Sequence, residues 1–334
     1  MSGLDEHKFS VAPMMGWTDR HCRYFHRLLS RHTRLYTEMI TADAIVHGDH
    51  NYLLQMNNQE HPVALQLGGS DPEQLAKAVK IADGYGYDEF NLNVGCPSDR
   101  VQNGRFGACL MKEPERVQDC LAAMNESTES LVSVKCRIGV DDMDDEAGLT
   151  HFVDIVKSSG IQYFIIHARK AWLEGLSPKQ NREIPPLNYP RVYQLKHSFP
   201  DLRIVINGGV ETLGQVGAHL QQVDGVMMGR QAYHTPYILA RVDQYLFKAP
   251  DPIVSRHQVG EAMIPYIESQ LAKGVGLYHI TRHMLGLFYG QPGARHFRRI
   301  LSSQVAGSKG DIEVYKTALN SVPQSQDMSL EHSA

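Results

Sequence analysis

Cys96 stands in the run Asn91-Leu-Asn-Val-Gly-Cys-Pro97, which concentrates more chemistry than any other stretch of the sequence. The alternation in Glu89–Asn93 reads as a strand. Gly95 and Pro97 stop it, which puts a cysteine on the loop just past a strand's C-terminal end. An ordinary thiol, with a pKa near 8.5, is mostly protonated at neutral pH and can give its proton up as a general acid. A nucleophilic cysteine is the second option, though no triad partner is evident in the sequence. A buried, inert thiol is the third. The glycine and proline beside Cys96 favour a working thiol over a buried one. Downstream, Arg100–Cys109 is a glycine-punctuated segment able to fold over that loop, with Cys109 as the weaker candidate.

Other residue types with chemical potential fall at the ends of apolar segments. Asn207-Gly208-Gly209 follows one segment and Gly229-Arg230 follows the next. Paired glycines let backbone N–H groups approach phosphate oxygens, and Arg230 adds a charged fork. Lys135 and His167 end two further segments, pointing into the same mouth. Lysine inside a strand pattern is a poor core residue; His167 reads equally well as a satisfied core histidine. Gln66 ends another strand and offers an amide at the same level. Pro13-Met14-Met15 closes the first strand, where the methionines also read as ordinary core.

These residues need elements to hold them. Eight short apolar segments recur: 10–15, 35–40, 63–67, 89–93, 131–136, 163–167, 203–207 and 225–228. Helical periodicity fills most of the gaps, most clearly in 72–83, with Asp71 as N-cap and Pro72 at the first helical position. Segments 146–158 and 211–221 read the same way. Eight strands alternating with helices predict an α/β fold, a (β/α)8 TIM barrel, with its chemistry on the C-terminal face. An open doubly wound sheet competes, but no GxGxxG opens a helix. The connection from Ala168 to Pro190 is long for a barrel loop and is expected to cover the mouth. After Arg241 the strands cease. Helical patterns at 259–272, 277–289 and 294–304 predict a small all-helical C-terminal domain, giving a division into 1–246, 247–320 and a disordered tail, 321–334.

Composition narrows the function. No run approaches the roughly 18 apolar residues of a membrane span, and the polar, acid-bearing start is no signal peptide. Five cysteines, with no CxxC or Cys/His ligand spacing, form neither a disulfide framework nor a zinc site, so a reducing cytoplasm and no metal are expected. The net charge is -4, yet Phe247–Lys316 carries nine basic residues against five acidic ones. An acidic body with a basic C-terminal unit points to a local polyanion contact. Arg295, Arg298 and Arg299, at i, i+3 and i+4, are its candidate face, with a merely solvated helix as the alternative.

Taken together, the words NVGCP, PMMGWTD (Pro13–Asp19), INGGV (Ile206–Val210) and MMGR (Met227–Arg230) resemble the tRNA-dihydrouridine synthases over roughly Phe9–Tyr315. The segment Asn181–Tyr189 is most similar to the A subfamily, which acts on uridines 20 and 20a of the D-loop. The resemblance implies FMN on the barrel and NADPH as reductant. It places FMN contacts on Pro13, Met14, Met15, Gln66, Lys135, His167, Asn207, Gly208, Gly209, Gly229 and Arg230. It places the proton donor on Cys96 and tRNA contacts on Asn93, Lys179, Arg182, Arg295 and Arg298. Reduction of uracil takes a hydride at carbon 6 and a proton at carbon 5, the latter expected from Cys96. A monomer with tRNA as partner is expected. The competing readings are a small-molecule flavin enzyme of the dihydropyrimidine or dihydroorotate dehydrogenase type, disfavoured by the basic helical unit, and a non-catalytic tRNA-binding protein, which would lack a yellow colour.

Overall fold

Eight parallel strands form a barrel: β1 (Phe9–Val11), β2 (Leu35–Tyr36), β3 (Val63–Gly68), β4 (Glu89–Val94), β5 (Leu131–Arg137), β6 (Tyr163–His167), β7 (Arg203–Asn207) and β8 (Gly225–Met228). They run in that order around the sheet, and β8 pairs with β1 in the register Phe9↔Val226. The ring closes between β1 and the start of β2. There Arg34 donates its N–H to Phe9 O at 3.1 Å and accepts the Val11 N–H at 2.9 Å. This is a computed structural model, and it describes residues 7–98, 104–143, 147–303 and 311–324.

Alternation sorts the two faces. Val63, Leu65, Leu67, Phe90, Leu92, Val132, Val134, Phe164 and Ile166 point outward and pack under the helices. Ala12, Tyr36, Ala64, Ile165, Val205 and Met227 fill the inside. With them, unusually for a core, lie the buried polar residues Gln66, Glu89, Asn91 and Ser133. The helix Pro72–Asp83 forms as expected, with Asp71 capping the Gln74 N–H.

Several expected boundaries move. The first strand stops at Val11 rather than Met15: the Met14 N–H turns onto Thr18 Oγ1 at 2.9 Å, and Gly16 takes a positive φ of 76°. The second strand is interrupted after Tyr36, because Thr37 Oγ1 takes the Gln66 N–H at 3.0 Å in place of a backbone carbonyl. Pairing with β3 resumes at Ile40–Thr41. The helix expected over 277–289 ends at Thr281. Beyond it the chain winds in i→i−3 turns, which bring Gly286 so close to the His234 carbonyl that a Cβ there would stand 2.2 Å away. The start of the expected tail is ordered: Val322 is buried, and its carbonyl accepts from His257 at 3.0 Å. Residues 325–334 of the expected tail, and 100–103 of the segment expected to cover Cys96, lie outside the described residues.

After the barrel, helices Arg256–Ala272, Leu277–Thr281, Ala294–Ser303 and Ile312–Asn320 pack together. Helix Val242–Phe247, which straddles the expected boundary at 246, stays with the barrel: Asp243 bonds Ser30 and the Arg31 N–H. Tyr266 of the helical region stacks on Tyr24 at 3.9 Å, and Arg282 pairs with Asp19 at 2.7 Å. Among the described residues no helix is long and apolar enough to cross a membrane.

Candidate active site

The C-terminal strand ends gather the expected residues. Around the barrel, Asn93 is level with Lys135, Arg137 with His167, and His167 with Asn207. Cys96 is held by its backbone. Asn93 Oδ1 accepts the N–H groups of Gly95 and Cys96, each at 3.0 Å. Arg137 Nε donates to Gly95 O at 2.8 Å, and the Ala108 N–H donates to Cys96 O at 2.9 Å. The thiol is half-buried, with Sγ 3.4 Å from Ser98 Oγ. Cys109 differs: burial pushes its pKa up, and its thiol already donates to Phe106 O at 3.2 Å. It therefore holds its proton more tightly than an ordinary thiol and makes a poorer acid.

The side chains of Lys135 and His167, at the mouth, have no hydrogen-bond partner among the described residues. Burial, and then the charge of Arg137, lowers the Lys135 pKa to about 8. Burial, followed by Arg137 and Lys135, pushes His167 well below its ordinary value, so the imidazole is neutral. A desolvated ammonium without a counter-ion is costly unless a ligand supplies one. Arg169 and Arg182 add to the same positive field. The glycine loops lie beside it. Gly208 takes φ +118°, and a Cβ there would stand 2.7 Å from the His167 ring; the Cβ position of Gly229 faces open space. Asn207 braces the loop through Met227 O at 2.8 Å. Unpartnered donors, exposed backbone and net positive charge fit a phosphorylated ring that becomes anionic on reduction, such as FMN. Pro13 and Met14 are half-exposed, and Met15, 65% exposed, is no core methionine.

The dihydrouridine synthase (Dus) family model matches residues 10–323. The tRNA-dihydrouridine(20/20a) synthase of Vibrio parahaemolyticus is 60% identical over 95% of this chain and 97% of that protein. The tRNA-dihydrouridine(20/20a) synthase of Escherichia coli K12 is 58% identical over 94% of this chain and 91% of that protein. This chain belongs to the dihydrouridine synthase family. Among solved structures, TcOYE with pHBA aligns with a TM-score of 0.50 at 10% identity over 71% of this chain and 88% of that one. A 2-naphthoyl-CoA reductase complex aligns with a TM-score of 0.54 at 10% identity, over 74% of this chain and 51% of that one. Both likenesses concern the barrel fold alone.

In this dihydrouridine synthase the connection 168–190 does reach the mouth. Its buried Asn181 ties the loop to itself through Trp172 and Leu176, and its tip exposes Lys179 and Arg182. Arg230 is not free: it pairs with Glu183 at 2.9 Å on the surface, an interaction worth under about 1 kcal/mol and readily exchanged for a phosphate. The amide of Asn93, expected to contact tRNA, is engaged with Gln66 and the Cys96 loop. Arg295 and Arg298 are exposed beside a cavity of about 380 Å³ that also carries the exposed Tyr289. The sequence reading missed Arg137. Buried on β5, it grips Gly95 O on one side and Lys170 O and Asn181 O, each at 3.0 Å, on the other. Its only signal was a second cation two residues after Lys135 on an inward-facing strand.

Proposed function

We propose that this dihydrouridine synthase reduces uridines 20 and 20a of tRNA to 5,6-dihydrouridine, with FMN at the barrel mouth and NADPH as reductant. The observation that carries the specificity is the near-full-length identity of about 60% to relatives bearing that activity in their names. Five free cysteines suit work in the reducing cytoplasm; the acting species is proposed to be a monomer.

The flavin, when bound, supplies the hydride that goes to uracil carbon 6. This chain supplies the rest. Lys135, His167 and the loops at Gly208–Gly209 and Gly229–Arg230 hold the cofactor, with Gln66 and Pro13–Met15 along its edge. Cys96 gives its Sγ proton to carbon 5: the S–H bond breaks, a C–H bond forms, and a thiolate is left. The Ser98 hydroxyl can then bond the thiolate. Arg137 and Arg182 stand near enough to feel its charge. Residues 247–320 grip the tRNA, and Lys179 and Arg182 meet phosphates at the rim. The target base must leave its stack, at a cost of a few kcal/mol, so the remaining tRNA contacts must supply binding energy. Incubating the yellow holoenzyme and NADPH with tRNA that lacks dihydrouridine tests the reading. A gain of two hydrogens at uridines 20 and 20a, found by mass spectrometry of nuclease fragments, supports it; an unchanged mass overturns it.

Two further outcomes are expected. Lys135 loses its proton near pH 8 in the free enzyme. FMN affinity, read by quenching of flavin fluorescence, should therefore fall as pH rises through 8, because only the charged form attracts the anion. Lys135→Met should remove that step and weaken binding about 10- to 100-fold, the worth of a charged hydrogen bond. An unchanged pH step in the variant would place its origin elsewhere. Reversing charge at Arg295 and Arg298 should weaken tRNA binding and reduce the slope of log K against log salt by roughly two, as two phosphate contacts are lost. A slope equal to wild type would remove that face from the interface.

A further inference from the structure

The barrel interior carries a hydrogen-bonded ladder whose lower rungs the chemistry above does not use. At its base is Glu89, fully buried on β4. Its Oε2 accepts from His7 at 2.8 Å and Arg34 at 3.2 Å; its Oε1 accepts from Tyr36 at 2.8 Å and from Ser133 Oγ. Burial alone would push this carboxyl up, but these donors outweigh it and hold the pKa at about 2. Above Glu89 the links continue. Asn91 Nδ2 donates to Ser133 Oγ at 2.6 Å, Gln66 Nε2 to Asn91 Oδ1 at 2.8 Å, and Asn93 Nδ2 to Gln66 Oε1 at 2.8 Å. The ladder ends where Asn93 Oδ1 takes the Gly95 and Cys96 N–H groups.

Every link runs in the same sense, and chemistry forces it. Backbone N–H groups can only donate, so they fix Asn93 from above. A carboxylate can only accept, so it fixes Ser133 from below. Between these ends, Ser133, Asn91, Gln66 and Asn93 each accept from the rung above and donate to the rung below, an arrangement in which each bond polarises the next. Reversing one amide would place two donors face to face somewhere in the chain.

We propose that Glu89 is a positioning residue for the reaction at Cys96. Acting through Ser133, Asn91, Gln66 and Asn93, its carboxylate sets the sense of the ladder, and so holds the Cys96 loop. This rests on the proposed function for its catalytic meaning. Two variants test it in the holoenzyme. Glu89→Gln replaces a pure acceptor with a group that must also donate. Asn91→Leu, close in shape, severs the ladder and leaves the ion cluster of Glu89, His7 and Arg34 untouched. In both, alkylation of Cys96 by iodoacetamide, followed by peptide mass spectrometry, should rise about tenfold as the loop opens more often. Reoxidation of the reduced enzyme by tRNA should slow on the order of 100-fold, the effect of a misplacement near 1 Å. Flavin reduction by NADPH should stay within about twofold, since that half-reaction does not use the thiol. A general loss of structure would slow both halves. If folded, flavin-loaded Asn91→Leu is alkylated and reoxidised at wild-type rates, the proposal is overturned, whatever Glu89→Gln does. A wild-type enzyme that leaves tRNA unreduced would defeat the functional reading, while the alkylation comparison would still judge the ladder.

Discussion

In single turnover, reduced Cys96→Ala enzyme is expected to reoxidise on mixing with tRNA about 100- to 10,000-fold more slowly than wild type, the usual worth of a general acid. Flavin content and reduction by NADPH should hardly change, because alanine keeps the backbone bonds from Asn93, Arg137 and Ala108 that shape the loop. The return of oxidised-flavin absorbance follows the reaction. Cys109→Ala should do much less, since that thiol is occupied with Phe106 O and holds its proton tightly. A stalled Cys109→Ala beside a normal Cys96→Ala would mean that the proton comes from the other cysteine. Wild-type rates in both would remove thiol acid catalysis altogether.

The parts of this molecule legible in its sequence are those set by local pattern. Strands β6, β7 and β8 begin and end where the apolar runs do, because Asn, Gly and His punctuate them. Asp71 and Pro72 announce a helix start without tertiary help. The strand Glu89-Phe90-Asn91-Leu92-Asn93 shows the limit. Alternation identifies a strand with one polar face, and polar faces are commonly solvated. Here the polar face points into the barrel, where Asn91 and Ser133 are fully buried. Nothing local distinguishes these cases; only closure of the ring decides. Thr37 and Gly286 were missed for a similar reason: Thr37 takes the N–H of Gln66, and Gly286 lies against the His234 carbonyl, each a neighbour distant in sequence. The candidate residues at strand ends were found because a barrel mouth turns sequence position into spatial position. The clamp that organises them joins residues 42 and 44 apart, which no periodicity encodes.

That clamp serves both stability and rate. Arg137→Met should keep the stem of the side chain and remove all three of its hydrogen bonds. Each buried carbonyl left without a donor costs about 1–3 kcal/mol, less where water can enter from the mouth. For a barrel of this size a melting temperature lower by roughly 5–10 °C is expected. The catalytic loss should exceed what that destabilisation explains. Arg137 joins the loop bearing Cys96 to the loop bearing Lys179 and Arg182, so its removal frees the acid and the phosphate contacts together. A fall in kcat/KM for tRNA on the order of 100- to 1,000-fold is expected, measured well below the melting point. Arg137→Lys separates charge from geometry. An ammonium keeps the positive charge beside a Cys96 thiolate, but it lacks the planar fork that reaches Gly95 O with Nε while Nη1 spans Lys170 O and Asn181 O. It should recover less than about tenfold of the loss. Full recovery by lysine would show that Arg137 acts only as a charge, and that the two loops hold their places without it.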